Sequence, residues 1–310
     1  MATENEHETL PSVRKQGQSR RNKGIMMGMK ESSAGVWGLR RAVRALTSLG
    51  LAILMWQGCP GTSLKAAEPN PALKEVIEGQ QRSAANIARD PYRHPLEVLT
   101  FFGVEPQSNV VEIAPGKAGY WIEVLAPYLK DRGRYTASGD ATRDITPLNA
   151  RIAISPEIYG KIAITEFAGG DQEIASLGSA DFVLTFRNIH NWMRAGTAEA
   201  AFRAFYRALK PGEILGVEEH RARPDQPQDP QAKSGYVRQD YAIALAEKAG
   251  FKLIGSSEIN ANPKDSKDYP EGVWTLPPTY RLGAQDRKKY PVIGESDRFV
   301  LKFVKPAEAK

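Results

Sequence analysis

The chain has 310 residues, 41% hydrophobic and 25% charged, the balance of a globular protein of one large or two small domains. Its formal charge of +6 is uneven: residues 1–66 carry 10 Lys or Arg against 4 Asp or Glu, and residues 67–310 carry 32 of each. The neutral second part excludes the basic footprint of a nucleic-acid binder, and with Cys59 as the only cysteine that part has no disulfide and no cysteine metal site.

Residues 1–28 are polar and aperiodic and are read as a disordered leader. Residues 29–66 have the pattern of a signal peptide or membrane anchor. Arg40, Arg41 and Arg44 precede the 13-residue apolar run "ALTSLGLAILMWQ", and small residues suited to cleavage follow near Ala66 and Ala67. The expectation is an exported, periplasmic protein that touches a membrane only through an uncleaved leader; a mis-assigned start would leave it cytoplasmic.

From residue 67 onward apolar runs alternate between the two periods. "NPALKEVIEGQQRSAANIARD" has helical spacing up to Asp90–Pro91, and "PLEVLTFFGV" is a second short helix. "NVVEIA" is a buried strand, followed by the helix "YWIEVLAPYLKDRG" ending at Gly133. "RYTAS", "YGKIAITEF" and "ADFVLTF" are strands. "TAEAAFRAFYRALKPG" is a helix from Thr197 that stops at Pro211–Gly212, before the strand "EILGVEE". "RARPDQPQDPQAKSG" is a polar loop, either a lid or a solvated connection, and "YVRQDYAIALAEKAG" is a helix. "FKLIGSSEI" and "DRFVLKFVKP" are the last strands, with no helix between them, so the final one is predicted to run antiparallel. This order predicts a doubly wound α/β fold: a seven-stranded, mostly parallel sheet with helices on both faces.

In such sheets ligands lie beyond the carboxyl ends of the strands. The polar residues delivered there are Glu112, then Arg187, Asn188 and His190, then Glu218, Glu219 and His220, and finally Asn260 and Asn262. The domain's other histidine, His94, sits in "DPYRHP" ahead of the first strand. Trp192 reads as core; Trp274 reads as core or rim.

The loop "VVEIAPGKAGYW" poses a narrower question. It has two glycines, Gly116 and Gly119, around Lys117, where a phosphate or dinucleotide loop carries three. Together with "YRHPLEVLTFFGV", "SADFVLTFRNIHNWMRAGTAEAAF", "LKPG", "SEINANPKD" and "YPEGVWTLPP", it resembles the class I S-adenosylmethionine-dependent methyltransferase superfamily. Within it, the strings resemble a group of predicted bacterial methyltransferases of undefined substrate, over roughly residues 72–306. The resemblance implies S-adenosylmethionine as cofactor, with Glu112, Ala114, Pro115, Gly116 and Gly119 beside its methionine end. It implies Asp140 at the ribose, Asp171 or the stretch around Phe167 at the adenine, and Arg187 and Asn188 on the cofactor side. The family's E-x-G-x-G-x-G pattern has Ala114 and Ala118 at its first and third glycines here. A methylthioether–ribose ligand has no phosphate, so the loop needs only a close backbone approach to a carboxylate, which Gly116 permits. Lys117 either pairs with that carboxylate or points to solvent.

The expected function is methyl transfer to a small-molecule acceptor. His190 or His94 is the candidate base, and Tyr92, His220, Glu219, Asn260 and Asn262 form the substrate side. Two rivals are weighed: a non-catalytic exported ligand-binding protein that retains the fold, and a hydrolase using His190, His220 and a glutamate as metal ligands. No short-spaced ligand motif favours a metal, and none is assigned.

Overall fold

A computed structural model describes residues 68–307; the expected leader lies outside the described residues. Seven strands form one sheet: β1 (Asn109–Ile113), β2 (Arg134–Gly139), β3 (Ala163–Glu166), β4 (Ala180–Phe186), β5 (Leu209–His220), β6 (Lys252–Ser257) and β7 (Arg298–Val304), in the order β3-β2-β1-β4-β5-β7-β6. The pairs β1–β2, β1–β4, β2–β3 and β4–β5 are parallel, while β7 runs antiparallel to both β5 and β6. The doubly wound architecture and the antiparallel last strand are thus as the sequence predicts.

Side-chain alternation along the strands builds two apolar layers. Val111, Val183, Leu215, Leu301 and Phe303 face the layer that holds Phe202, Phe205 and Leu245. Those three come from helices Ala198–Ala208 and Gln239–Lys248. Val110, Phe182, Leu184 and Val300 face the opposite layer with Val98, Leu99, Phe102, Val124 and Leu125. Those five belong to helices Pro95–Phe102 and Ile122–Leu129. Helix Ile122–Leu129 is buried almost all round because the amino-terminal segment covers its outer side: Gln81 and Ser83 bond its Glu123.

Three boundaries differ from expectation. The stretch expected as one helix up to Asp90–Pro91 is instead Pro71–Ile77 and Ala84–Ile87, followed by a further turn, Asp90–Arg93. Arg82 folds the chain back there, donating to Ile77 O and gripping both oxygens of Asp90, so Asp90–Pro91 starts a turn of helix instead of ending one. The helix after β1 starts at Ile122, not at Tyr120, because Gly116–Gly119 closes its own turn first. Strand β5 begins at Leu209 and takes in Pro211–Gly212, since the helix ahead of it stops at Ala208. Among the described residues no helix is long and apolar enough to cross a membrane.

Tight stacking of β5 on its neighbours sets how far its carboxyl end projects. A β-carbon on Gly216 would lie 2.6 Å from Leu184 and 2.9 Å from Phe102. Gly216→Val is expected to lower stability by about 1–3 kcal/mol through overpacking, read as a fall in the urea midpoint. An unchanged midpoint would mean the two neighbours yield freely.

Candidate functional site

A cleft of about 380 Å³ opens beyond the carboxyl ends of β1, β4 and β5, within the range of roughly 300–1,000 Å³ typical of small-molecule sites. The loop after β1 forms one wall. Ala114 and Gly116 sit in the left-handed region, at φ 51° and 74°. A β-carbon on Gly116 would meet nothing within 4 Å, so the loop presents bare backbone to open space. The Gly116 amide itself is already used: it donates to Asp144 Oδ1 at 3.0 Å. Asp144 also accepts from the Asp140 amide at 2.8 Å and from Arg143 at 3.0 Å, so this buried carboxylate ties the loop after β2 to the loop after β1. Pro115 and Lys117 line the cleft, whereas a β-carbon on Gly119 would press on Ile122 at 3.2 Å and Arg151 at 3.3 Å.

Glu112 closes the floor beneath this loop. It is 1% exposed and accepts a short hydrogen bond from the Tyr135 hydroxyl. Burial pushes its carboxyl up to about 8, against the pull of Tyr135, Arg93 and Arg187, so near neutral pH it is mostly protonated.

The opposite wall comes from β4 and β5. Asn188 donates to Ile113 O at 3.0 Å and clips the end of β4 to the end of β1. Arg187 adopts φ 63° and lines the cleft. His190, on helix Ile189–Ala195, is held through Nδ1 by Glu219 Oε1 at 3.0 Å. Both Glu219 oxygens already accept backbone amides, of His190 and of His220, so Nδ1 is the donor in this contact and Nε2 is the acceptor on a ring that lines the cleft. His220 bonds Ser296 Oγ through Nδ1 at 2.5 Å, and its ring centroid lies 5.4 Å from that of His190. Burial, then His190 and the arginines Arg187, Arg298 and Arg93, hold His220 well below the usual histidine range, so it stays neutral. Trp274 stands at the rim, 5.8 Å from the His190 ring.

Sequence reasoning missed a cluster at the back of the cleft. Glu295 pairs with Arg89 at 2.6 Å, Arg93 at 3.4 Å and Arg298 at 2.5 Å. Arg298 also reaches Glu218 at 3.3 Å, and Arg187 stands 3.7 Å from the same carboxylate. Burial alone would raise Glu295, but Arg298, Arg93 and Arg89 outweigh it and keep its carboxyl far below the carboxylate range.

The remaining candidates lie elsewhere. His94, Tyr92, Asn260 and Asn262 line a separate cavity of about 270 Å³ that shares only Glu295 and Ser296 with the cleft. There His94 Nδ1 meets Asn260 Oδ1 at 2.9 Å, Asn260 donates to Glu218 at 2.8 Å, and Asn262 donates to Ile293 O and Glu295 O. Asp140 caps the turn Ala141–Ile145 through the amides of Thr142 and Arg143, and Asp171 pairs with Arg207 on the surface. Phe167 is buried against Trp192 and Phe205. None of these three lines the cleft; Arg143 and Asp144 do. His190, Glu219 and His220 bring one donor atom each within 4.8 Å of one another, a possible metal grouping. Glu219, however, already accepts from His190 N, His190 Nδ1 and His220 N, and the surrounding guanidinium charge opposes a cation.

No family model and no curated protein matches the chain. Among solved structures it is similar to the [4+2]-cyclase SpnF, at 15% identity and TM-score 0.51, over 76% of this chain and 93% of that one. It is also similar to a SAM-dependent methyltransferase from Aquifex aeolicus, at 12% identity and TM-score 0.48, over 75% of this chain and 98% of that one. A third is phosphoethanolamine N-methyltransferase 2 of Haemonchus contortus, solved with S-adenosyl-L-methionine, at 15% identity and TM-score 0.48, over 76% and 56%. The fold is that of the class I S-adenosylmethionine-dependent methyltransferases.

Glu112 has a thermodynamic consequence. Its pKa is about 8 in the folded chain against an ordinary value of 4.5, so between those values the native state holds a proton that the unfolded chain has released. Stability therefore falls as pH rises through that window. Melting temperatures from pH 5 to pH 8 are expected to fall less steeply in Glu112→Gln than in the parent. Parallel curves would show that Glu112 is ionised throughout.

Proposed function

We propose that the chain is a methyltransferase that binds S-adenosylmethionine in the cleft and methylates a small-molecule acceptor. The observation that carries this reading is the juxtaposition of an open backbone surface at Gly116, a buried carboxyl at Glu112 and an oriented imidazole at His190 in one cleft of that fold. A cyclase with a similar fold shows that the sheet alone does not specify the reaction, which these side chains must decide.

The residues fit the cofactor's methionine end. Glu112 would face its ammonium, and the loop Ala114–Gly119 with Lys117 would receive its carboxylate. When bound, the cofactor supplies a methyl group already activated on a sulfonium. The chain's own work is then to position the acceptor, exclude water and take up a proton. Nε2 of His190 is the proton acceptor, because Glu219 fixes the tautomer and stabilises the imidazolium that forms. Trp274, Pro277 and Pro278 add apolar surface to the cleft wall.

Calorimetry with S-adenosylhomocysteine tests the cofactor assignment. The parent is expected to bind, and Gly116→Val to bind about tenfold or more weakly while still melting cooperatively. Unchanged affinity in a folded Gly116→Val protein would remove the loop from the cofactor site. His190→Ala is expected to lower S-adenosylhomocysteine production over a panel of oxygen, nitrogen and carbon nucleophiles by roughly 10²-fold or more, with cofactor affinity nearly unchanged. Equal loss of affinity and turnover would make His190 a cofactor contact instead.

A further inference from the structure

Among the described residues the cluster behind the cleft has two more guanidinium than carboxylate groups: Arg89, Arg93, Arg187 and Arg298 share Glu218 and Glu295. Three of these arginines have a buried nitrogen with no hydrogen-bond partner, namely Nη2 of Arg89, Nη2 of Arg93 and Nε of Arg187. All three line the cleft, and Arg93 is only 1% exposed. Buried donors of this kind are costly unless something completes them. Arg93 is held in place independently of any ligand, by Glu295 and by the Tyr120 ring 4.4 Å from its guanidinium carbon. The donors are thus a fixed, partly unsatisfied surface that a planar or tetrahedral oxyanion completes.

We propose that Arg187, backed by Arg93 and Arg89, forms an oxyanion subsite that receives a carboxylate or phosphate group of the methyl acceptor, next to His190 and His220. The inference rests on the methyltransferase reading and names the acceptor class for it. Arg187, which the family resemblance puts on the cofactor side, is assigned here to the acceptor side because it precedes His190 by three residues at the end of β4 and neighbours Glu218 at the end of β5. The cofactor carboxylate has the loop amides and Lys117 on the other wall. An anchored anion there also accounts for a pocket that is polar at its back and aromatic at its rim, where Trp274 meets His190.

The test uses the full chain saturated with S-adenosylhomocysteine, titrated by calorimetry at low salt with sodium phosphate and with sodium benzoate. Arg187→Gln removes the charge, and Arg187→Lys keeps it without the fork. Glu218 retains Arg298 and Asn260 in both, so the fold has its remaining ties. One of the two anions is expected to bind the saturated parent, about tenfold or more weakly in Arg187→Gln and with partial recovery in Arg187→Lys, while S-adenosylhomocysteine affinity changes by less than about threefold. Which anion binds distinguishes a carboxylate from a phosphate acceptor. Three results overturn the proposal: neither anion binds, Arg187→Gln binds the anion like the parent, or Arg187→Gln loses S-adenosylhomocysteine affinity instead, which assigns the arginine to the cofactor. If S-adenosylhomocysteine fails to bind the parent, the methyltransferase reading falls alone. The same titrations on the free chain then judge the subsite, a tenfold loss in Arg187→Gln sustaining it and no loss overturning it.

Discussion

Glu295 is the interaction on which the shape of the cleft depends. One carboxylate, 3% exposed, gathers Arg89 and Arg93 from the segment before β1 and Arg298 from the start of β7. These elements lie some 200 residues apart in the chain, and no other described ion pair joins them. Removing one partner from a buried cluster of this kind costs on the order of 3–5 kcal/mol, because the others stay buried without compensation. The amino-terminal segment is therefore not a loose lead-in. It is locked to the last strand, and the lock forms the back wall of the cleft. Asn262, which donates to the backbone at Ile293 and Glu295, and Ser296, which bonds His220, extend the same lock toward the His220 side of the cleft.

The fold was legible in the sequence because its determinants are local. Runs of Val, Ile, Leu and Phe of strand length alternate with helical spacings, and two strands with no long helical spacing between them imply an antiparallel end, although the short turns Gly272–Thr275 and Tyr290–Ile293 do intervene. The strand-end rule then placed His190, His220 and Glu112 in one region, and the structure puts all three around one cleft. Residues whose roles depend on distant partners were not legible. Arg89 and Arg93 look like ordinary charges on a short helix, and nothing near them in sequence announces Glu295. Asp140 carries a local signal of another kind. It stands where an N-cap carboxylate belongs and satisfies the amides of Thr142 and Arg143, leaving Asp144, four residues on, to face the cleft. Asp171 is bound by Arg207 on the surface, a pairing that no short-range pattern encodes.

His94 and Asn260 make the same point from the other direction. Both flank the cleft in sequence terms, yet they bond each other in a neighbouring cavity, and Asn260 spends its amide on Glu218. Their chemistry supports the wall from behind. Glu218 is held between Asn260 and Arg298, and it is Glu218 that stands opposite Arg187.

The electrostatics of the cleft follow from burial acting on unlike groups. A carboxyl and an imidazole can shed their charge, and both do so: Glu112 is raised to about 8 and His220 is depressed, although the nearby arginines favour an ionised Glu112. Guanidinium groups resist this. Arg187 comes down only to about 10, through burial and the neighbouring Arg89 and Arg298, and so remains charged at neutral pH. The result is a site in which Glu112 and His220 shed their charge while Arg187 and the paired Glu295 keep theirs. Such a field opposes a metal cation, and within it the His190 ring is held through Nδ1 by Glu219. The selectivity of the cleft therefore comes from the difference in how carboxyl, imidazole and guanidinium groups respond to the same loss of water.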